Sequence, residues 1–518
     1  MNTTDLFALS ELLAQQGLLV RTHNIARSAE ERVAITGADC DSRVVAPGHI
    51  FVCKGVAFKP AYLSSALEAG AVAYLCDESL EQELLQTAPQ IPALVTSNIR
   101  HAMALVSAKA WDQPDKRIPV VGITGTKGKT TAAYFVRAIL DGDEPRSHAA
   151  TLGTLETYDG VERFASRNTT PEAPDLWRHL AHAADSQLAM VMEVSSQGLK
   201  YERVEGLGYN VAAFLNIGVD HVSPIEHPTF EDYLASKLKI FNNAQVAVVN
   251  AQLDPAHAER IFSAARACPR VVSFGVCEGG SLTGGSVAAD KPSVWASDVR
   301  AAPSGMEFVL HTSTWTAPVS IGLSGGFNVE NALAAAAIAQ ELGCSRDEIV
   351  AGLARCRVPG RMDVCTSTDG AITAIVDYAH NGMAVHEALS TVRASYPHHR
   401  IVAVFGATGG KGAERRFEMP PAAAPYVDHL IFTEDDAGPE SPERICAQMV
   451  EATPAGTSCE VVLDRSEAIE RALDWARTDE RAAVVCVLGK GHEARQLRAD
   501  GPVPMVPDGE LVRQLLGI

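Results

Sequence analysis

"PVVGITGTKGKTTAAYFVRAIL", residues 119–140, decides how the chain is read. An apolar run leads through Gly122, Gly125 and Gly128 into a stretch of helical pattern. Strand, glycine-bearing loop and helix in this order are the context of a phosphate-binding loop. Consecutive backbone N–H groups at a helix amino terminus make an anion site, and the helix dipole reinforces it. Lys129 would reach the β- and γ-phosphates, and the Thr130 hydroxyl would ligand Mg2+. The spacing departs from the common G-x-x-x-x-G-K-[ST] pattern, because the residue five places before Gly128 is Ile123. A tight glycine turn beside a chance lysine is the competing reading. The coincidence of strand, loop, lysine and the hydroxyl pair Thr130 and Thr131 argues against it.

Outward from this loop, composition sets bounds. The chain has 518 residues, 47% of them hydrophobic, enough for sizeable cores and roughly three domains. Lys and Arg number 44 against 63 Asp and Glu, a formal charge of −19. So acidic a chain argues against a general nucleic-acid binder but leaves room for an anionic small ligand held locally. The start, "MNTTDLFALSELLAQQGLL", lacks a basic region followed by an apolar core, and reads as an amphipathic helix capped by Thr4 or Asp5. No apolar stretch is long enough to span a membrane. Eleven cysteines without CxxC pairs suggest reduced core thiols in a cytoplasmic protein.

The order of elements predicts an α/β fold of three domains, at residues 1–117, 118–356 and 357–518. Strands "HIFVCKG" (49–55) and "AVAYLCD" (71–77) fall in the first, and "KAWDQPDKRIP" (109–119) reads as a linker. After the loop come "LAMVMEV" (188–194), "VAAFLNI" (211–217) and "AQVAVVN" (244–250), whose continuous apolar runs suit a parallel sheet covered on both faces. Residues 272–325 read as local antiparallel strands, and 328–342 as a strong helix. A second linker lies near 355–363. Beyond it, "AITAIVDYA", "RIVAVFGA", "HLIFTE" and "AAVVCVLG" alternate with helical segments, predicting a Rossmann-like α/β domain.

Three polar residues stand out around the central strands. Glu193 ends a buried strand, where an acid faces the ligand crevice of an open sheet; the alternative is an edge-exposed glutamate capping a turn. His221 follows a buried strand and suits a neutral imidazole ligand, although singly it reads better as a core or loop histidine. Lys237, in "FEDYLASKLKIF", reads on its own as a solvated helix-face lysine.

Together the stretches point further. "GTKGKT", "EVSSQGL", "NIGVDH", "ASKLKIF", "FNVENALAA", "GRMD", "DYAHN" and "GKGHE" occur in this order, and "DSRVVAPGHIFVCKG" (41–55) precedes them. The chain resembles the Mur ligase family of peptidoglycan synthesis over nearly its whole length, nearest to the members that add the third peptide residue. The family's shorter loop, G-x-x-G-K-T, matches Gly125, Thr126, Lys127, Gly128, Lys129 and Thr130. The resemblance implies an ATP-dependent amide ligase. A peptide carboxylate takes the γ-phosphate to give an acyl phosphate, and an incoming amine displaces phosphate. The first domain would bind UDP and the central one ATP.

Residue by residue, the resemblance implies two Mg2+ ions: Thr130 and Glu193 on the first, and Glu193, His221 and Lys237 on the second. Lys237 would be carbamylated, which turns a cation into an anionic oxygen ligand. Asn331 matches an adenine contact, and Arg361 and Asp377 match residues reaching ATP from the last domain. Asn168, Thr169, Thr170, Ser195, Tyr201 and Arg203 match contacts to UDP-MurNAc-L-Ala-D-Glu, with Ser42 at the uridine end. Gly489 and Glu493 match residues holding the backbone end of the incoming amino acid. A monomer is the expected state.

The amine pocket departs from part of the family. Members that add meso-diaminopimelate carry D-N-P-R, whose arginine pairs with the second carboxylate; here "EDDAGPESP" places Gly438 at that position, and an upstream arginine is replaced by Lys411. Asp435 and Asp436 lie where a side-chain ammonium would bind, unless they form only a solvated acidic turn. The family's lysine-adding members are similar at "NIGVDHVSPIEHPTFEDY" and "FTEDDAG". The expectation is therefore a basic amino acid, L-lysine, with L-ornithine the close competitor because one methylene discriminates weakly. The other readings are the same ligase acting on meso-diaminopimelate, an amide ligase like folylpolyglutamate synthetase, and a non-catalytic nucleotide-binding scaffold.

Overall fold

The computed structural model describes residues 4–26, 28–143, 147–186, 188–218, 223, 226–279, 281–283, 291–302, 305–410 and 412–518. His221 and Lys411, both named from the sequence, lie outside the described residues. The chain divides into two compact units. One comprises Met1–Trp295, His311–Trp315 and Glu330–Gly352, the other Ala296–Leu310, Thr316–Val329 and Leu353–Ile518.

Within the first unit, Asp5 caps the opening helix Leu6–Gln15 by accepting from the Ala8 N–H at 2.7 Å. A five-stranded sheet follows in the order Leu19–His23, Ala93–Thr96, Ala73–Asp77, His49–Val52 and Gly37–Asp39. Its first strand is antiparallel to its neighbour, and the rest are parallel. The segment taken for a linker at 109–119 is packed instead. The helix Ile99–Ala110 runs into it, Pro114 and Ile118 are buried, and Asp115 accepts from the Gly208 N–H at 3.1 Å. Apolar side chains prevailed there over the punctuation of the two prolines. Leu6, Leu13, Ile50 and Leu94 share one continuous core with Trp177, Leu180, Met190 and Phe214 of the central region.

The central sheet of this unit runs Arg163–Ala165, Glu156–Tyr158, Ala149–Leu152, Ala189–Glu193, Val120–Thr124, Tyr209–Phe214, Ala244–Asn250 and Arg270–Glu278. From Ala149–Leu152 to Arg270–Glu278 every pairing is parallel. Arg270–Glu278, expected among local antiparallel strands, extends the parallel sheet at its pairing with Ala244–Asn250 and pairs antiparallel with Ser281–Leu282. Val120–Thr124 is buried throughout, which explains its unbroken apolar run. Gly122 is required within it, because an added Cβ would stand 2.5 Å from the Tyr209 ring.

The second unit carries a six-stranded sheet in the order Asp363–Thr366, Ile372–Asp377, Ala483–Leu488, Arg400–Phe405, His429–Phe432 and Cys459–Val461, parallel except at its first edge. Alternate residues enter two separate cores. Ile375, Ala403, Phe405 and Cys486 join one, and Val376, Val402, Val404 and Val487 the other. Period-two alternation with both faces covered is what made these strands read as continuous apolar runs. All eleven cysteines are free, most of them buried. Among the described residues no helix is long and apolar enough to cross a membrane.

Candidate active site

The phosphate loop leaves the carboxyl end of Val120–Thr124, between two parallel neighbours, and enters the helix Lys129–Asp141. Gly128 sits at φ +83°, a left-handed conformation that glycine adopts without strain. An added Cβ there would meet Asn331 Oδ1 at 2.3 Å, so Asn331 lies directly against the loop. Lys127 is clamped from both sides by Asn216, whose Oδ1 accepts from the Lys127 N–H at 2.9 Å and whose Nδ2 donates to the Lys127 carbonyl at 3.1 Å. Thr126 Oγ1 lies 3.0 Å from the Tyr233 hydroxyl and accepts from the Gly218 N–H at 3.0 Å. Lys129 Nζ folds back onto the carbonyls of Gly125 at 2.8 Å and Thr126 at 3.1 Å.

Glu193 is 2% exposed and stands level with Ile123 on the adjacent strand. It is no edge glutamate. Its Oε2 accepts from the hydroxyls of Thr130 at 2.9 Å and Thr154 at 3.0 Å, and its Oε1 from the Thr154 N–H at 2.7 Å. Gly153 makes room for it, since a Cβ there would lie 2.4 Å from Oε1. Clustered hydroxyl and carboxylate oxygens suit a hard cation such as Mg2+.

Lys237 overturns its reading as a solvated lysine. It is 1% exposed, donates from Nζ to the Gly125 carbonyl at 2.8 Å, and lies 4.8 Å over the Tyr233 ring. The helix Phe230–Leu238, capped by the Thr229 side chain on the Asp232 N–H, turns this residue into the fold. Lys129 and Lys237 thus converge on one loop carbonyl.

Thr170 is buried and ties the 168–170 turn to the strand end. Its hydroxyl donates to the Glu193 carbonyl at 3.0 Å and accepts from the Ser195 N–H at 2.9 Å. Thr169 lies 3.1 Å from Thr154, while Asn168 is exposed. Ser195 caps the short helix Ser196–Lys200. Arg203 donates to the Thr170 carbonyl at 3.0 Å and pairs with Glu172 at 2.9 Å, and Glu172 also holds Lys54 at 2.6 Å. Tyr201 lies under the Arg100 guanidinium at 4.5 Å, and Ser42 is half-buried.

The second unit gathers its own polar cluster at the carboxyl ends of its strands. Asp377 accepts from the N–H groups of Met362 and Ala379, each at 2.8 Å. Arg361 stacks on Tyr378 at 4.6 Å, with its Nε buried and without a hydrogen-bond partner among the described residues. Lys490 is 1% exposed and bonds Asp436 and Glu493, each at 2.7 Å. Tyr378 donates to Glu493 at 3.2 Å. Asp435 is 5% exposed, close against Gly489, where a Cβ would meet its Oδ2 at 2.5 Å. Burial pushes the Asp435 carboxyl up to about 6, with Asp436 and Glu493 adding to the rise and Arg465 and Lys490 opposing it. The two aspartates are therefore neither a solvated turn nor an equivalent pair, because Asp436 already holds Lys490 and the Leu497 N–H at 2.6 Å. Gly438, at φ +58°, donates to the Leu497 carbonyl at 3.0 Å.

Sequence reasoning missed Asn216, Tyr233, Thr154, Lys490 and Arg465. Asn216, Tyr233 and Lys490 stand inside quoted stretches without a role of their own. Thr154 and Arg465 carry no local signal, since only the fold brings them to Glu193 and Asp508.

A glycine loop between parallel strands, with a buried acid and two lysines around it, defines a phosphate-loop type of α/β fold. The comparisons narrow this class. Residues 123–339 match the Mur ligase middle domain, and residues 360–491 match the Mur ligase, glutamate ligase domain. A UDP-N-acetylmuramoyl-L-alanyl-D-glutamate–L-lysine ligase of Enterococcus faecalis is 34% identical over 506 residues, covering 95% of each chain. A UDP-N-acetylmuramyl-tripeptide synthetase of Bifidobacterium longum is 35% identical over 530 residues, covering 99% of each. A solved UDP-N-acetylmuramoyl-L-alanyl-D-glutamate–2,6-diaminopimelate ligase aligns with a TM-score of 0.64 at 27% identity, covering 93% of this chain and 95% of that one. The chain belongs to the Mur ligase family.

Proposed function

We propose that the protein joins L-lysine to UDP-N-acetylmuramoyl-L-alanyl-D-glutamate, using ATP, in the synthesis of peptidoglycan precursors. The observation that carries this reading is the buried Lys237 bonded to the same loop carbonyl as Lys129, beside a loop whose Thr130 bonds Glu193. Relatives named as L-lysine ligases, similar over nearly the full chain, support the choice of amine.

The chemistry follows from charge. A carboxylate is inert toward amines until one of its oxygens becomes a leaving group. Its attack on the γ-phosphate brings two anions together, and Lys129 with the loop N–H groups would hold the phosphates against that repulsion. Mg2+, when bound, would neutralise further phosphate charge, with Thr130, Glu193, His221 and a carbamylated Lys237 as its protein ligands. Carbamylation consumes the neutral amine and CO2, forms an N–C bond, and releases a proton. An unmodified ammonium at that place would repel the cation.

Thr169, Thr170, Ser195, Tyr201, Arg203 and Asn168 would line the muramyl-peptide side, with Ser42 toward the uridine. Asn331 would face adenine, and Arg361 and Asp377 would meet the nucleotide from residues 357–518, the amine-binding part. Asp435 would receive the lysine ammonium, with Asp436, Glu493 and Gly489 framing it and Lys411 standing where the diaminopimelate-adding members carry an upstream arginine. The reading includes residues 1–117 as the UDP-binding domain, residues 118–356 as the ATP-binding domain, a monomeric state, and a cytoplasmic location, where its nucleotide substrates are made.

Phosphate release with UDP-MurNAc-L-Ala-D-Glu, ATP and L-lysine, L-ornithine or meso-diaminopimelate tests the proposal. Fastest turnover with L-lysine is expected. No turnover with any amine would overturn the ligase reading, whereas preference for meso-diaminopimelate would overturn only the pocket reading.

A further inference from the structure

A cluster remote from this chemistry in the residues it uses offers a second kind of site. The hairpin turn after Glu156–Tyr158 presents Asp159 and Glu162, and the helix Ala173–Asp185 presents His179 and His182 one turn apart. One ligand atom from each of these four residues lies within 4.8 Å of all the others, the one such grouping found among the described residues. Asp159 Oδ1 is fixed by the turn, accepting from the Val161 N–H at 2.9 Å and the Glu162 N–H at 2.7 Å. Its Oδ2 receives both imidazoles, His179 Nδ1 at 2.6 Å and His182 Nδ1 at 2.8 Å. Asp159 and His179 are buried, and His182 and Glu162 are half-buried.

We propose that Asp159, Glu162, His179 and His182 form a structural site for a first-row transition dication, most suited to Zn2+, that pins the hairpin to the helix. Two imidazoles and two carboxylates complete a four-coordinate set, the coordination number of closed structural zinc sites. Imidazole donors select against Mg2+, which takes oxygen. The ion would stand where two N–H groups now bridge the imidazoles to Asp159, each ring binding it through Nδ1 with its proton shifted to Nε2. In a tetrahedral shell with metal–nitrogen bonds of about 2.0 Å the ligand atoms stand about 3.3 Å apart, so the two Asp159–imidazole contacts would lengthen by about 0.6 Å while wider pairs, such as His179 Nδ1 and Glu162 Oε2 at 3.8 Å, would close. Two carboxylates and two neutral imidazoles balance the dication.

Arg178 opposes this. Its guanidinium bonds Glu162 at 2.5 Å, lies 3.5 Å from Asp175, and approaches His179 Nε2 at 3.4 Å. A carboxylate can hold a metal through one oxygen and an arginine through the other. The near approach to His179 Nε2 nonetheless faces one N–H toward another once Nδ1 is metal-bound, so Arg178 weakens the site without blocking it. The consequence is local. The turn of Asn168, Thr169 and Thr170 is the stretch between the two elements that the metal would join.

The test is a titration of the chelator-stripped full-length protein with Co2+ near neutral pH, in excess Mg2+ to fill oxygen sites. Visible ligand-field bands of tetrahedral intensity, saturating at one equivalent and displaced by Zn2+, are expected. His179→Gln and His182→Gln should each abolish them while the far-ultraviolet circular dichroism stays unchanged, and Arg178→Gln should tighten binding about tenfold. No tetrahedral bands, or bands with near-ultraviolet sulfur charge transfer that persist in both histidine variants, would overturn the site. The readout is independent of ligase turnover, so the proposal stands or falls apart from the proposed reaction.

Discussion

Two lysines are buried equally deeply in this molecule, one in each unit, and their surroundings differ in kind. Lys490 is held between the carboxylates of Asp436 and Glu493. Burial pulls its pKa down, but Asp435, Asp436 and Glu493 outweigh that and hold it above the usual lysine range. Lys237 donates to the Gly125 carbonyl and lies over the Tyr233 ring. An amine clasped by carboxylates is committed to its charge and serves the fold. The other stands against the phosphate loop, where the chemistry proposed for it would act.

The sharpest way to break this contrast is to truncate each lysine. Lys237→Ala should lower kcat/KM for phosphate release about 10³-fold, or about 4 kcal/mol, with the smaller loss of thermal stability of the two. Retention of most activity would remove the carbamate role. Lys490→Met should do the reverse in emphasis, costing about 3 kcal/mol in denaturant unfolding, because two carboxylates lose their cation. The figure is at the low end for a buried pair, since Asp436 and Glu493 remain partly exposed.

Asp435 sharpens the comparison through pH. Its carboxyl is raised to about 6, so the folded protein binds a proton there more tightly than the unfolded chain. Its contribution therefore makes stability fall as pH rises from about 4 to about 6. The carboxylate that would attract a substrate ammonium exists only above that range. Apparent affinity for L-lysine should drop as pH falls through about 6, and Asp435→Asn should flatten that profile while weakening lysine use about tenfold near neutrality. An unchanged profile in the variant would assign the pH dependence elsewhere. The smallest expected effect is at Gly153→Ala, whose new methyl must displace Glu193 Oε1. It should raise the Mg2+ concentration needed for half-maximal rate about threefold, with little change in melting temperature.

Much of the fold was legible because its determinants are contiguous. Gly122 to Thr131 spell strand, loop and helix without interruption, and "AQVAVVN" coincides with the strand Ala244–Asn250. Asp5 could be read as a cap from its place before an amphipathic run. The site was legible where strand ends set it, as at Glu193. It was illegible where burial depends on distant partners. Lys237 lies on a helix whose pattern allows a solvated lysine, and contacts from afar, the loop carbonyl of Gly125 among them, bury it. Asp435 and Asp436 are adjacent in sequence, yet Lys490 and Leu497, some sixty residues on, give them unlike surroundings. The linker at 109–119 failed for a related reason, since two prolines mark a break in hydrogen bonding and say nothing about whether Ile118 is buried.

The apolar core shared by both sheets of the first unit has a practical consequence. A polypeptide trimmed to start near residue 118 would carry Trp177, Leu180 and Met190 stripped of part of their covering, and would be expected to precipitate when expressed alone. Supplying the missing piece in trans should rescue it, which would make the first hundred or so residues a folding partner for the phosphate loop, beyond the uridine-binding role proposed for them.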